Sequence, residues 1–367
     1  MFQDLLHTAE TALTDQKPFV IYRKPRETQV KGIFQNEATL HPLKDFKESG
    51  FIFAPFQDSS PIIRLQPDRV VHAEPPTYPH SKRTAVGNTL AMGSGSEHRA
   101  LVRKAINAIK NSDLRKVVLS TRFEVSAAQG PMVLFTKLLA LYPKAFCYVW
   151  YHPTIGLWLG ATPEILLSAR GGRLTTMSLA GTLPVEQGKD PQWSPKEMEE
   201  QEMVTQHITS VLQEHCTALQ RGPLETVQAG SLWHLRSKLH GSYEDGALGD
   251  IINALHPTPA VCGLPTNMAK GFLQQHEGYP REFYTGYLGE LNMTLEKSPN
   301  ARRGNTEQKA YRSRVNATQL YVNLRCMQLK DKKALVYVGG GITAASDPDM
   351  EWMELCNKSK TILGAFG

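Results

Sequence analysis

Residues 146 to 183 read FCYVWYHPTIGLWLGATPEILLSARGGRLTTMSLAGTL. Four runs stand out in them, FCYVWY, IGLWLGA, ILLSARGG and RLTTMSLAGTL, each rich in aromatic, β-branched and other apolar residues. Gly- and Pro-containing turns of a few residues separate them. Connections this short join antiparallel neighbours, because a parallel pair needs a crossover of a dozen or more residues. Working outward, FVIYRKP, QVKGIFQ, GFIFAPF and IIRLQPDRVVHA give further strands upstream, and LRKVVLSTRF from Leu114 to Phe123 gives another. Helical spacing of Leu101, Val102, Ala105, Ile106 and Ile109 predicts a helix from about Gly95 to Asn111. Longer helices are predicted from about Pro195 to Leu219 and from Asp347 to Thr361. Runs of strands interrupted by long helices imply an α+β layered sandwich, with helices packed on large, mostly antiparallel sheets.

Composition narrows the function. The 367 residues are 41% hydrophobic and 21% charged, which is ordinary globular balance, and no linker, low-complexity run or repeat divides them, so one large domain over 1–367 is the expectation. Apolar runs such as Ala334 to Val338 are far too short to span a bilayer, and the opening MFQDLLHTAETAL carries acids where a signal peptide carries bases. A soluble, cytoplasmic protein without membrane partners is expected. The five cysteines, Cys147, Cys216, Cys262, Cys326 and Cys356, are widely spaced and read as reduced core thiols. The net charge of +6 is scattered, and the densest basic cluster, Arg302 to Arg314, mixes in acids and lacks an aromatic platform, so it reads as a solvated loop and not a nucleic-acid site.

Within LRKVVLSTRF a strand places Lys116, Val118, Ser120 and Arg122 on one face. A lysine there is ordinarily solvated or protects an edge; a role inside needs another segment that wants an amine. Two helices supply one. In SPKEMEEQEMVTQHITSVL, Ser194 and Pro195 are N-terminal signals, and Glu200 lies one turn before Met203 and Val204, on the apolar side, where a carboxylate is costly unless paired or metal-bound. Glu197 and Glu199 are accounted for by the helix dipole. In SDPDMEWMELCNKSKTIL, Glu351, Glu354 and Lys358 share a face. Before it, VYVGGGITAA runs a strand into Gly339, Gly340 and Gly341, whose amides could cradle an anion or serve a turn or packing role. Two E-x-x-E helices could hold a hard cation such as Mg2+.

Taken in order, KVVLS, GATPEILL, SLAGT, KEMEEQEMV, LHPTPAVCG, FYTGYLGE, YVNLR and GGGITAASDPDMEWMELCNK resemble the chorismate-utilising enzymes, which include anthranilate, aminodeoxychorismate, salicylate and isochorismate synthases. The match runs from about residue 50 to residue 363, best over 95–363, with residues 1–50 matching loosely. The resemblance implies a single large domain whose two antiparallel sheets enclose the site. It implies that Lys116 is the general base activating water for attack at ring C2 of chorismate, and that Glu164 is the general acid for departure of the C4 hydroxyl. A lysine serves as a base near neutrality only if its pKa is lowered, and a carboxyl as an acid only if its pKa is raised.

By the same resemblance Glu200 and Glu354 are Mg2+ ligands with Glu197 and Glu351 as neighbours. Arg325 and Tyr284 bind the enolpyruvyl carboxylate, Gly339, Gly340, Gly341 and Lys358 make further carboxylate contacts, and Thr182 and His234 stand beside the ring. Ammonia-using relatives generally carry Gln at the position of Lys116 and depend on a glutaminase that is not implied here. Relatives that form a covalent adduct carry a lysine where this chain has Ala180. Ala260 in HPTPAVCG is similar to the isochorismate-forming members, whereas salicylate-forming ones usually show a loop closer to T-A-S-G-x-P. Isochorismate is therefore the expected product, with a salicylate synthase, or a non-catalytic anion- or nucleic-acid-binding protein, as the alternatives. Relatives are often monomers, which is the expectation here. The segment from about Asn292 to Thr318 departs from the family in being longer and more charged.

Overall fold

The four short-linked runs are strands Phe146–His152, Gly156–Thr162, Ile165–Arg170 and Arg173–Pro184 in the computed structural model, which describes residues 1–77, 93–185, 188, 190–230, 232–294 and 315–367. The first two pair antiparallel, and so do the last two. Between the pairs, at Pro163 and Glu164, the chain leaves one sheet and enters another. It returns at Asn323 to Arg325, between strands Asn316–Val322 and Cys326–Lys330. The two crossings are hydrogen-bonded to each other: the Val322 amide donates to the Glu164 carbonyl at 3.1 Å, and the Ala161 amide to the Arg325 carbonyl at 3.0 Å. That mutual bonding places a carboxyl and a guanidinium side by side where the sheets meet.

One sheet has nine strands, in the order Gly263–Leu264, Lys116–Ser126, Lys333–Ile342, Cys326–Lys330, Gly156–Thr162, Phe146–His152, Phe19–Arg23, Val30–Phe34 and Arg69–Ala73. The other has eight: Ala218–Ala229, Leu232–Ser242, Arg173–Pro184, Ile165–Arg170, Asn316–Val322, Tyr287–Thr294, Gly50–Ala54 and Ile63–Leu65. Every pairing among the described residues is antiparallel. The sheets face each other across an aromatic core in which Tyr22, Phe146, Tyr148, Trp150 and Trp158 of one meet Phe51, Phe53 and Tyr321 of the other. Phe146 stacks on Tyr321 with ring centroids 4.2 Å apart, and rings in such offset contact add to the burial that holds the layers.

Helices cover the outer faces because each carries one apolar stripe. Phe2–Thr14, Pro131–Leu141 and Pro348–Leu363 pack on the nine-stranded sheet. Pro195–His215 and Leu248–Leu255 pack on the eight-stranded one, and Ser96–Lys110 and Thr266–His276 cover the strand of Lys116. No helix among the described residues is long and apolar enough to cross a membrane. All five cysteines carry free thiols, three of them buried. The expected helix to Leu219 ends at His215 because Ala218 already begins a strand. The charged cluster Arg302 to Arg314, and most of the long connection from Asn292 to Thr318, lie outside the described residues.

Candidate active site

The strand of Lys116 has the two faces its alternation predicts, but both are buried as far as Ser120. Val117 and Leu119 enter an apolar cluster under two helices. Lys116 points the other way and is 0% exposed, which overturns the solvated reading of this lysine. Its Nζ lies 2.8 Å from Glu200 Oε1, so the helix Pro195–His215 supplies the carboxylate that a buried ammonium requires. Burial alone would raise the Glu200 pKa; Lys116 beside it, with Lys358 and Lys196, reverses this and holds the group below its usual range.

The glycines 339 to 341 form neither a turn nor a nest. They continue strand Lys333–Ile342 and pair with Ser120, Leu119 and Val118. They are glycine for want of space: a Cβ on Gly341 would stand 2.6 Å from Glu200 Oε1 and 2.9 Å from Lys116 Cε, and one on Gly339 2.7 Å from the Tyr284 hydroxyl. Val118 and Ser120 bond on their far side, to the Cys262 carbonyl and the Glu277 carboxylate. Their partners Gly341 and Gly339 therefore turn their amide edges away from this strand, past the end of Cys326–Lys330. Lys358 Nζ already donates to the Gly339 carbonyl at 3.1 Å on that side. Gly341→Ala is expected to push Lys116 and Glu200 apart and to lower turnover at least roughly tenfold while the protein stays folded, because a shift of about an ångström at reacting groups costs up to ~100-fold. Steady-state kinetics on the purified variant checks this, and unchanged kcat would show the tight contact to be irrelevant.

These residues wall a cavity between the sheets. Glu164, Thr182, Glu200, His234, Ala260, Tyr284, Arg325, Gly339, Gly341 and Lys358 all line it. Lys116 stands directly behind Glu200, and Gly340 faces the other side of the strand, against Leu355. Glu164 is 4% exposed, and burial raises its pKa to about 7 against the opposing pull of Arg325, Lys116 and Lys358. Arg325 adopts a left-handed backbone, φ 49°, an uncommon conformation for a non-glycine residue, which turns the chain from one sheet into the other. His234 Nδ1 lies 2.9 Å from the Gly181 carbonyl, which fixes the proton on that nitrogen, and burial lowers its pKa to about 3. The ring is neutral, and its buried Nε2 has no hydrogen-bond partner among the described residues. Gly181 has φ +71° at a register shift between Ala180 and Leu183, so the glycine of SLAGT makes the bulge that presents Thr182 to the cavity.

Three acids of the two helices are each held by a lysine: Glu200 by Lys116, Glu351 by Lys196 at 2.7 Å and Glu354 by Lys358 at 2.5 Å. Glu197 is used differently. Its Oε2 accepts from the Ser194 amide and hydroxyl, closing a capping box at the helix start. Burial and the neighbouring Glu354 charge raise the Glu351 pKa, so carboxylates crowd here at an electrostatic cost. Hard oxygen donors in mutual repulsion fit a hard divalent cation. Among the described residues no three of them converge as a ready-made ligand set.

Two features escaped the sequence reading. A second chamber shares Pro163, Leu179 and Arg325 with the cavity wall and is lined by Arg26, Lys144, Arg236 and Lys238, with no acid among the described residues that line it. These cations are dispersed along the chain, so no local run announced them. The buried Gln201 side chain ties Ser178, Thr205 and Ser237 together under the site, where a lone glutamine in a polar helix turn gives no signal.

The sequence matches the family model of the chorismate binding enzymes over residues 30–298 and 310–364. It is 26% identical over 332 residues to the vibriobactin-specific isochorismate synthase of Vibrio cholerae serotype O1, covering 86% of this chain and 79% of that protein. It is 30% identical over 280 residues to the isochorismate synthase EntC of Escherichia coli strain K12, covering 73% of this chain and 66% of that protein. Its fold is similar to that of MenF, the menaquinone-specific isochorismate synthase from Escherichia coli, with a TM-score of 0.73 and 19% identity over 95% of this chain and 89% of that one. A family match over most of the sequence, on a two-sheet fold with the motif residues gathered round one cavity, means that this chain belongs to the chorismate binding enzymes.

Proposed function

We propose that the protein is a Mg2+-dependent isochorismate synthase, adding water at C2 of chorismate with loss of the C4 hydroxyl. The observation that carries this reading is a buried carboxyl of raised pKa, Glu164, in the cavity wall where the chain crosses between the sheets, together with a buried amine, Lys116 of the nine-stranded sheet, paired to Glu200 of the same wall. The substrate is a dicarboxylate, and the cavity supplies a cation with neutral hydrogen-bond donors for each end: Arg325 with the Tyr284 hydroxyl for the enolpyruvyl carboxylate, and Lys358 with the Gly339 and Gly341 amides for the other. The chamber next to the cavity, where Arg236 is paired with Glu225 but Arg26, Lys144 and Lys238 add further positive charge, favours an anionic substrate on the same grounds.

In this reading Lys116 acts as the neutral amine: it parts from Glu200 on giving its proton to solvent, then takes a proton from the attacking water as the water oxygen bonds to C2. The ring double bonds shift, the C4–O bond breaks, and Glu164 gives its proton to the departing hydroxyl, which leaves as water. The cycle ends with Lys116 protonated and Glu164 ionised, the states that the reverse reaction requires. Neutral His234 accepts a hydrogen bond at Nε2 and stays out of proton transfer. Glu200 and Glu354, with Glu351 behind them, are the residues that would hold Mg2+, which when bound supplies positive charge beside the ring carboxylate. Lys116 selects water as the nucleophile, so no glutaminase partner enters.

Incubation with chorismate and Mg2+ followed by chromatography tests the proposal. Isochorismate supports it, salicylate with pyruvate makes the protein a salicylate synthase, and no turnover makes it a non-catalytic binder. Glu200→Ala is expected to raise the Mg2+ concentration for half-maximal turnover by roughly tenfold to a hundredfold, the scale of lost groups around a metal. An unchanged metal response would remove Glu200 from the ligand set.

A further inference from the structure

Arg281 lies outside the cavity lining, yet it bonds to residues that form the wall. It is 2% exposed, and five hydrogen bonds use its donors. Nε and Nη2 donate to Glu277 at 2.6 and 2.7 Å, Nη2 to the Val118 carbonyl at 2.5 Å, Nη1 to the Val261 carbonyl at 2.9 Å and to Thr285 Oγ1 at 3.3 Å. Val118, Val261 and Thr285 line the cavity from three separate segments. Glu277 in turn accepts from the Ser120 amide at 2.8 Å and its hydroxyl at 2.6 Å.

The strand Lys116–Ser126 needs such a partner. Its outer neighbour, Gly263–Leu264, pairs only with Val117 and Lys116, and the Cys262 carbonyl takes the Val118 amide. Beyond that, the Val118 carbonyl and Ser120 amide would face a buried edge with no strand beside them, and buried backbone groups left unpaired are costly. The Glu277–Arg281 pair supplies one acceptor and one donor there, in place of the missing strand.

We infer that the Glu277–Arg281 ion pair is a positioning device for the proposed reaction: it completes the edge of the strand carrying Lys116 and fixes that strand against the loop of Ala260 and the turn of Tyr284. The inference rests on the proposed water-addition chemistry, in which an amine displaced by a fraction of an ångström loses efficiency. A guanidinium is required because its planar fork reaches divergent acceptors that an ammonium cannot serve together.

Arg281→Lys, Glu277→Gln and Glu277→Ala test it. Arg281→Lys and Glu277→Ala are expected to lower kcat by roughly tenfold to a hundredfold, with kcat falling more than KM rises. Glu277→Gln, which keeps a carbonyl for the Ser120 amide, should retain more activity than Glu277→Ala. Hydrogen exchange at the Ser120 amide should quicken in Arg281→Lys and Glu277→Ala while thermal unfolding remains cooperative. Wild-type kcat per folded molecule in these variants, or a loss that only tracks the folded fraction, would overturn the inference. If the variants do not fold, Ser120→Ala carries the test: a several-fold lower kcat supports positioning and an unchanged kcat overturns it. A wild-type protein without turnover would fail the functional proposal instead, and unaltered Ser120 exchange would then decide against the clamp by itself.

Discussion

Glu164→Gln is expected to abolish turnover and to make the protein more stable above neutral pH. The loss of a general acid costs roughly a hundredfold to ten-thousandfold in kcat, and glutamine keeps the shape while removing the transferable proton. The stability change follows from linkage. The folded Glu164 pKa is about 7 against an ordinary 4.5, because burial disfavours the charged form more than Arg325, Lys116 and Lys358 favour it. A group whose pKa is raised by folding contributes fully below its unfolded value, and that contribution is lost as pH rises through the folded value. Above pH 7 the wild type therefore forgoes about 3 kcal/mol that the neutral amide retains. Denaturant unfolding of both proteins at pH 5 and pH 8 reads this out: little difference at pH 5 and a gap at pH 8 are expected. The wild-type kcat should also fall with rising pH near 7. A variant with full activity, or one no more stable at pH 8, would remove Glu164 from the acid role.

Lys116→Ala should be equally inactive, again by roughly a hundredfold to ten-thousandfold, since Lys116 is the amine that Glu200 holds at 2.8 Å. Folding should survive, because Glu200 keeps Lys358 and Lys196 within electrostatic reach and is not left as an isolated buried charge. The Glu200 carboxyl, having lost its nearest cation, should titrate at higher pH than in the wild type. Retained turnover in Lys116→Ala would assign the base elsewhere. Comparing Lys116→Ala with the Lys116→Ala/Glu164→Gln double variant separates the roles: residues acting as one unit are non-additive, so the second change should add little.

Much of this was legible in the sequence, for reasons that differ by residue. The strands between Phe146 and Pro184 follow from composition and turn length, and the helix Ser96–Lys110 from the spacing of Val102, Ala105 and Ile109. What local pattern does not carry is the crossing at Pro163 and Glu164, where a meander that reads as one sheet is split between two. Without the family motifs Glu164 is a turn acid, and its raised pKa is a product of tertiary burial. The glycines 339 to 341 are consistent in sequence with a turn; they continue a strand instead, and they are glycine because Glu200, Lys116, Tyr284 and Leu355, distant in sequence, fill the space a Cβ would need. The hairpin Ala218–Ala229 and Leu232–Ser242 was not read at all, since Gly222 and Pro223 break the first run at a register shift between Arg221 and Leu224. No local pattern singles out Glu277 and Arg281; the missing strand beside Ser120 gives them a structural task.

In the proposed reaction Lys116 directs a water molecule onto the ring while Glu164 releases the hydroxyl on the other side. Turnover of chorismate in water enriched in oxygen-18, with mass spectrometry of the isochorismate formed, tests it most directly. One solvent-derived oxygen, located in the C2 hydroxyl, is the predicted result; isochorismate that carries no label, or retains the original C4 oxygen at C2, would contradict the account.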